Sequence, residues 1–283
     1  MAMAETQNPL NVMPPLFVSL AYCYFLLAKI PKSILRVIFL LPICYVFSIL
    51  PWYFSSATLR GVFSYFVTWI ASFKLLLFCF QRGPLANPNI TFTDFLLLSI
   101  IPLKVKEKVT SLPPTVPKPG LSKYVAVWSR SVQRYELVPL FKQPYLATSL
   151  QDFWGRRWNL LSSHILRLTI YNPTRETLMG VVGVRPAKVL ATMCTIAVSG
   201  VMHELMFYYI TCGKRPSWNL TCFFVLQGLC MILESIVRKH LCRGKNSIVA
   251  NTLRVAFVLV TSYWLVFLPV WNNGQQKCNL RYA

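Results

Sequence analysis

The chain has 283 residues, 55% of them hydrophobic, with 29 Lys and Arg against 8 Asp and Glu for a formal net charge of +21. With a mean hydropathy of +0.50, it is too apolar for an ordinary soluble domain and reads as a polytopic membrane protein. No zinc-finger, RNP or basic-zipper pattern is present, so the basic excess is assigned to bilayer orientation and anionic headgroups rather than to nucleic acid.

The N-terminus carries no basic region ahead of its first apolar segment, which is therefore expected to be kept as a span. Residues 15–30 and 34–50 are the first two candidate spans, joined by a tight link with Lys29, Lys32 and Arg36. Pro42 should kink the second. Residues 61–80 form a third span, interrupted by Lys74, whose stem is expected to snorkel. Residues 91–103 are too short to cross and are expected to be re-entrant or interfacial.

Residues 104–145, with the Pro-rich patch SLPPTVPKPG, read as a cytoplasmic loop. Residues 149–168 then show apolar positions at spacings of three and four, the pattern of an amphipathic helix lying in the interface. Residues 189–210, 218–237 and 253–271 are the last three spans. The expected fold class is all-α: a polytopic transmembrane helical bundle with an interfacial amphipathic helix. Its regions are 1–103 (membrane spans), 104–145 (loop) and 146–283 (core).

With a lumenal N-terminus, Lys104, Lys106, Lys108, Arg156, Arg157, Arg167, Arg238, Lys239, Arg243 and Lys245 fall on the cytoplasmic side. Only Arg60, Lys214, Arg215, Lys277 and Arg281 clearly fall in lumenal loops, as the positive-inside rule requires. The sequons at Asn89 and Asn219 are not expected to be used in this layout. The nine cysteines are scattered, mostly inside apolar runs and without a CxxC pair, which suits buried thiols rather than a disulfide framework or zinc cluster.

Chemistry concentrates in two stretches. LQDFWGRRWN, residues 150–159, packs Asp152, Trp154, Arg156, Arg157, Trp158 and Asn159 into ten positions. SGVMHELMFYY places His203 and Glu204 inside an apolar run. An ionisable group within a span is expensive unless it faces a cavity or a partner. An imidazole also serves as a general base near neutral pH, although bonding to a carbonyl of a neighbouring helix is the alternative role for His203. A zincin motif fails, because Phe207 stands where the second histidine is needed.

Asp152 and Asn159, seven residues apart, should lie near one face of a single helix. Local pairing of Asp152 with Arg156 and helix packing by Asn159 are the plainer roles. Arg156 and Arg157, beside Trp154 and Trp158, suit either an interfacial belt or the phosphates of a nucleotide carrier. Ser199-Gly200 is a small pair suited to close helix approach.

SLQDFWGRRWN, SHILRLTIYNPTR and VSGVMHELMFYY, with the opening spans and the FKLLLFCFQRGPL segment, resemble the plant wax synthase group of membrane-bound O-acyltransferases, the long-chain-alcohol O-fatty-acyltransferases. The resemblance implies acyl transfer from fatty acyl-CoA to a long-chain alcohol at the endoplasmic reticulum membrane. Acyl-CoA would be a co-substrate, with no cofactor and no metal. It makes His203 the catalytic histidine and Asn159 its partner amide. Asp152, Trp154, Arg156, Arg157, Trp158 and Glu204 are the expected substrate contacts. A sterol acyltransferase of the same superfamily and an inactive lipid-binding scaffold are the alternatives. One departure stands out: Lys118-Pro-Gly120 leads to the QDFWG segment without the further hydrophobic spans the family places between them, so the chain resembles a shortened member.

Overall fold

Among the described residues, five helices are long and apolar enough to cross a membrane: Ile34–Tyr53, Ala57–Cys79, Val184–Ile210, Asn219–Val237 and Asn251–Trp271. The computed structural model describes residues 9–101, 103–105, 135–137, 139–241 and 248–274. Most of them are helical, giving an all-α multi-pass bundle. A short antiparallel ribbon is added where Leu103, Lys104 and Val105 pair with Leu137, Glu136 and Tyr135. The loop between those strands, including the Lys118 departure, lies outside the described residues.

The apolar runs of the sequence predict six spans, and the first is shorter than expected. Met13–Phe25 is followed by a 3-10 turn, Leu27–Lys29, so the apolar segment Met13–Lys29 falls below spanning length. Residues 91–103 contain the nine-residue helix Phe92–Ile100, whose Thr91 hydroxyl caps the Asp94 N–H. Its Phe95 and Leu98 are buried in one cluster with Leu16, Phe47 and Phe78 of the preceding helices.

Two basic groups expected at the membrane edge instead satisfy carbonyls inside. Lys74 is 2% exposed, and its Nζ donates to the Leu98 and Ile101 carbonyls at 2.6 and 2.9 Å, closing the end of the short helix rather than snorkelling. Arg36 likewise donates to the carbonyls of Ala28, Ile30 and Phe78. Helix ends and turns expose backbone acceptors that a bilayer cannot hydrate, and long cationic donors supply the missing bonds.

Within lipid, helices gain little from hydrophobic contact with each other, so close packing and polar contacts hold them together. Gly200 shows the first. A Cβ there would lie 2.9 Å from Thr221 Cα, so the absence of a side chain brings Val184–Ile210 against the helix Asn219–Leu241. The outward faces stay apolar and uncovered, with Ile34 at 73% and Leu253 at 65% exposure, as lipid-facing positions should be. Cys23 and Cys79 are buried free thiols, whereas Cys194 and Cys222 are exposed. Cys212 departs from the expectation of free thiols, since it is disulfide-bonded.

The largest correction falls on residues 149–168. No continuous helix runs through them. Ser149 caps the single turn Leu150–Asp152, a π-helical stretch Phe153–Arg157 follows, and the chain then breaks at Trp158 and Asn159 before Leu160–Leu166 resumes. Asn159 sits in the left-handed region at φ 41° and ψ 66°, which asparagine tolerates better than most side chains. The break leaves backbone groups that helix would have paired, and the preceding segment takes them up. Lys142 N–H donates to the Arg157 carbonyl and Leu160 N–H to the Leu140 carbonyl, both at 2.9 Å. Asp152 and Asn159 therefore belong to different helical pieces and do not share one helix face.

Candidate active site

A cavity of about 620 Å³ opens where these broken pieces meet the helix Val184–Ile210. Two polar stripes face it, each at helical spacing. One is Asn159, Ser162 and Ser163; the other is Thr192, Thr195, Ser199 and His203. Leu166, Ile196, Phe224 and Met231 supply its apolar wall. Two π-helical stretches, Phe153–Arg157 and Arg167–Tyr171, contribute to its lining, and a third, Ser64–Ala71, touches Asn159 and His203 through Tyr65 and Trp69. Such widened turns re-aim side chains and are frequent at functional sites.

His203 is half-buried on the long helix, and its Nδ1 lies 2.7 Å from the Ser199 carbonyl. A carbonyl only accepts, so Nδ1 carries the proton and Nε2 of the neutral ring holds a free lone pair. The bond is to the preceding turn of its own helix, not to a neighbouring one. Two rings hold the imidazole in place: Phe224 lies tilted with centroids 4.4 Å apart, and Trp69 meets it edge-on at 5.0 Å. Trp69 belongs to Ala57–Cys79 and packs with Ile70, Leu161 and Ile165 in one buried cluster, so the N-terminal spans buttress this wall.

Asn159 caps Leu160–Leu166. Its Oδ1 accepts from Ser162 N–H at 3.2 Å and from the Tyr65 hydroxyl at 3.1 Å. Because a backbone N–H needs an oxygen, this contact fixes which end of the carboxamide is which. The Nδ2 donors are left on the other side. His203 and Asn159 both line the cavity.

The other predicted contacts divide. Trp154 and Trp158 line the cavity, with Trp154 Nε1 donating to the fully buried Gln227 at 3.3 Å and Trp158 stacked on Phe153. Arg156 is exposed at the cavity and Asp152 also lines it. Arg157 does not. Its Nε donates to Asp152 Oδ2 at 2.7 Å and its Nη1 to the Gln143 carbonyl at 3.1 Å, so Asp152 pairs with Arg157 and not with Arg156. Burial pushes the Asp152 carboxyl up, but the Arg157 bond, the Thr148 N–H and the charges of Arg157 and Arg156 outweigh it and hold the group below its ordinary range.

Glu204 is also corrected. Side chains at adjacent helix positions point about 100° apart, and this carboxylate turns away from the chamber. It is 4% exposed and accepts from Trp218 N–H at 2.7 Å and Thr221 N–H at 3.4 Å, capping the next helix and lining a separate, smaller pocket.

Two cationic groups were not singled out from sequence as site residues. Arg167 and Arg175 line the cavity beside Arg156, and Arg175 Nε is buried without a hydrogen-bond partner. The sequence signal was available: Arg167, Tyr171 and Arg175 recur every four residues. Among the described residues no group of three His, Cys, Asp or Glu side chains gathers as a metal site.

Comparison with known proteins agrees with this architecture. The membrane bound O-acyl transferase family model matches residues 137–226, which include both Asn159 and His203. An acyl-CoA–sterol O-acyltransferase of Arabidopsis thaliana is 34% identical over 93% of this chain and 89% of its own. The long-chain-alcohol O-fatty-acyltransferase of Simmondsia chinensis is 36% identical over 88% and 85%, and a probable one of Arabidopsis thaliana is 32% identical over 95% and 92%. The first of these alignments runs over 315 positions, more than the 283 residues of this chain, so that relative carries residues with no counterpart here. No solved structure matches. With relatives above 30% identity covered along most of their length, and a family model seated on the cavity-forming segment, the chain belongs to the membrane bound O-acyl transferase family.

Proposed function

We propose that this chain transfers a fatty acyl group from acyl-CoA to a long-chain alcohol, forming a wax ester in the endoplasmic reticulum membrane. The observation that carries the reading is that His203, with Nδ1 2.7 Å from the Ser199 carbonyl, and Asn159, whose Oδ1 already accepts from Ser162 N–H and Tyr65, line one partly apolar cavity. His203 Nε2 takes the proton of the alcohol as its oxygen attacks the thioester carbonyl. The Nδ2 donors of Asn159 stabilise the oxyanion of the tetrahedral intermediate. Its collapse breaks the carbon–sulfur bond, and the imidazolium returns the proton to the departing CoA thiolate. A thiolate leaves readily, so no covalent enzyme intermediate is needed. The bilayer-embedded wall lets both lipids enter and keeps out water that would hydrolyse the thioester.

Arg156, Arg167 and Arg175 are assigned to the phosphates of the nucleotide carrier. Guanidinium groups suit phosphate geometry, and Asp152, the acid in the cavity lining, is already bonded to Arg157. Cys212, in the turn after Val184–Ile210, is disulfide-bonded, and disulfides persist in oxidising compartments such as the reticulum lumen. That supports placing the turn on the lumenal side.

The test is expression in a yeast strain lacking neutral-lipid acyltransferases, with labelled acyl-CoA, several long-chain alcohols and a sterol supplied to its microsomes. Wax ester should form, and His203→Ala should lower it by about 10²–10⁴-fold at unchanged protein abundance. Unchanged ester formation in that variant defeats the mechanism. The 34% identity to a sterol acyltransferase favours a sterol as the second acceptor class, and sterol ester without wax ester would select it.

A further inference from the structure

We infer that Tyr65, which lies outside the matched family segment 137–226, is a positioning residue that aims the Asn159 carboxamide into the chamber. The inference rests on the reading of Asn159 as the oxyanion donor and assigns the group that orients it.

Tyr65 sits at the start of the π-helical stretch Ser64–Ala71, within the span Ala57–Cys79. Its hydroxyl lies 3.1 Å from Asn159 Oδ1 and 2.9 Å from Ser162 Oγ. A phenol has one hydrogen, and a carboxamide oxygen only accepts, so Tyr65 donates to Asn159. The Ser162 hydroxyl must then donate to the Tyr65 oxygen. A directed chain results: Ser162 O–H to Tyr65 O–H to Asn159 Oδ1.

Two consequences follow for the amide. Its Oδ1 is held by two donors from different elements, the Ser162 N–H of its own helix and the phenol of a distant span. Rotation about the side-chain bonds that would swing Nδ2 away from the cavity breaks both. Donation to the oxygen also draws electron density toward it and strengthens the Nδ2–H groups as donors, the ordinary cooperativity of hydrogen-bond chains. Trp69, one helical turn further along the same span, braces the His203 ring. The span therefore contacts both members of the pair without supplying a reacting group.

The experiment is a double-mutant cycle in microsomes containing the full chain, reading kcat and KM for acyl-CoA separately. Tyr65→Phe keeps the ring and removes the donor. Its kcat should fall about five- to ten-fold with KM for acyl-CoA nearly unchanged. In an Asn159→Asp background, where no amide donor remains to be aimed, the same substitution should cause little further loss. Ser162→Ala, which removes only the upstream donor, should lower kcat about two-fold and serves if Tyr65→Phe fails to accumulate. Unchanged kcat in both single variants overturns the inference, as does a Tyr65→Phe loss that multiplies fully with that of Asn159→Asp. Full activity in Asn159→Asp alone would instead bring down the underlying reading of the donor and the inference with it.

Discussion

Asn159→Asp separates structure from chemistry at one atom. The aspartate is nearly isosteric, caps a helix as well as asparagine does, and is among the few side chains that accept the left-handed backbone found here, φ 41°. Its remaining oxygen still accepts from Ser162 N–H and Tyr65, so stability should change by less than about 1 kcal/mol. The Nδ2 donor is replaced by a carboxylate oxygen, which repels the developing oxyanion instead of stabilising it. Loss of one such donor typically costs about 2.7–4 kcal/mol, roughly 10²–10³-fold in turnover, and the added charge makes that a lower bound. Ester formation from labelled acyl-CoA at matched abundance measures the chemistry, and thermal unfolding in detergent measures the fold. Asn159→Ala should lose both, because it also removes the cap. Wild-type turnover in Asn159→Asp would refute the argument and leave Asn159 as a cap that shapes the break between Arg157 and Leu160.

Three further outcomes test other parts of the account. Gly200→Ala puts a methyl group where the nearest atom, Thr221 Cα, would be 2.9 Å away; the two helices must separate, costing about 1–3 kcal/mol, and an unchanged melting temperature in detergent would show that they do not pack this closely. Arg175→Ala should raise KM for acyl-CoA by roughly ten-fold or more, the scale of one charge-assisted bond, with kcat little affected; an unchanged KM removes Arg175 from the phosphate site. Asp152→Asn bears on pH, because a carboxyl held below its ordinary value stabilises the fold fully above the unfolded pKa of about 3.9 and loses that contribution as pH falls through the lowered folded value. The variant should therefore melt below wild type at neutral pH and converge with it under strong acid, whereas a gap that persists in acid would mean the Arg157 pair is not the cause.

Much of the architecture follows from one-dimensional information. Apolar runs near spanning length show where the chain crosses, since a bilayer accepts only helices or closed barrels there, and five of the six runs coincide, to within a few residues at each end, with the observed long helices. Residue type likewise singles out His203, an ionisable group at membrane depth, and the concentration of polar groups at 150–159. What periodicity cannot foresee is a backbone break. Residues 149–168 have helical spacing, yet the left-handed turn at Asn159 and the π-helical stretches replace one amphipathic helix with pieces. The break is stabilised by bonds to Leu140 and Lys142, outside the periodic window.

The direction of each side chain is the other matter that tertiary structure alone decided. Glu204 is adjacent to His203 in sequence but faces a different pocket, because neighbours on a helix diverge. Arg157, next to Arg156, is consumed by Asp152 and a backbone carbonyl, while Arg167 and Arg175 reach the cavity from further along the chain. Tyr65 stands 94 residues from Asn159, and no spacing rule links them. Their contact exists only because a distant span packs against the cap of a short helix. Composition and hydropathy determine what a residue costs to bury; which groups meet, and which atom each presents, is set by the packing of helices far apart in the chain.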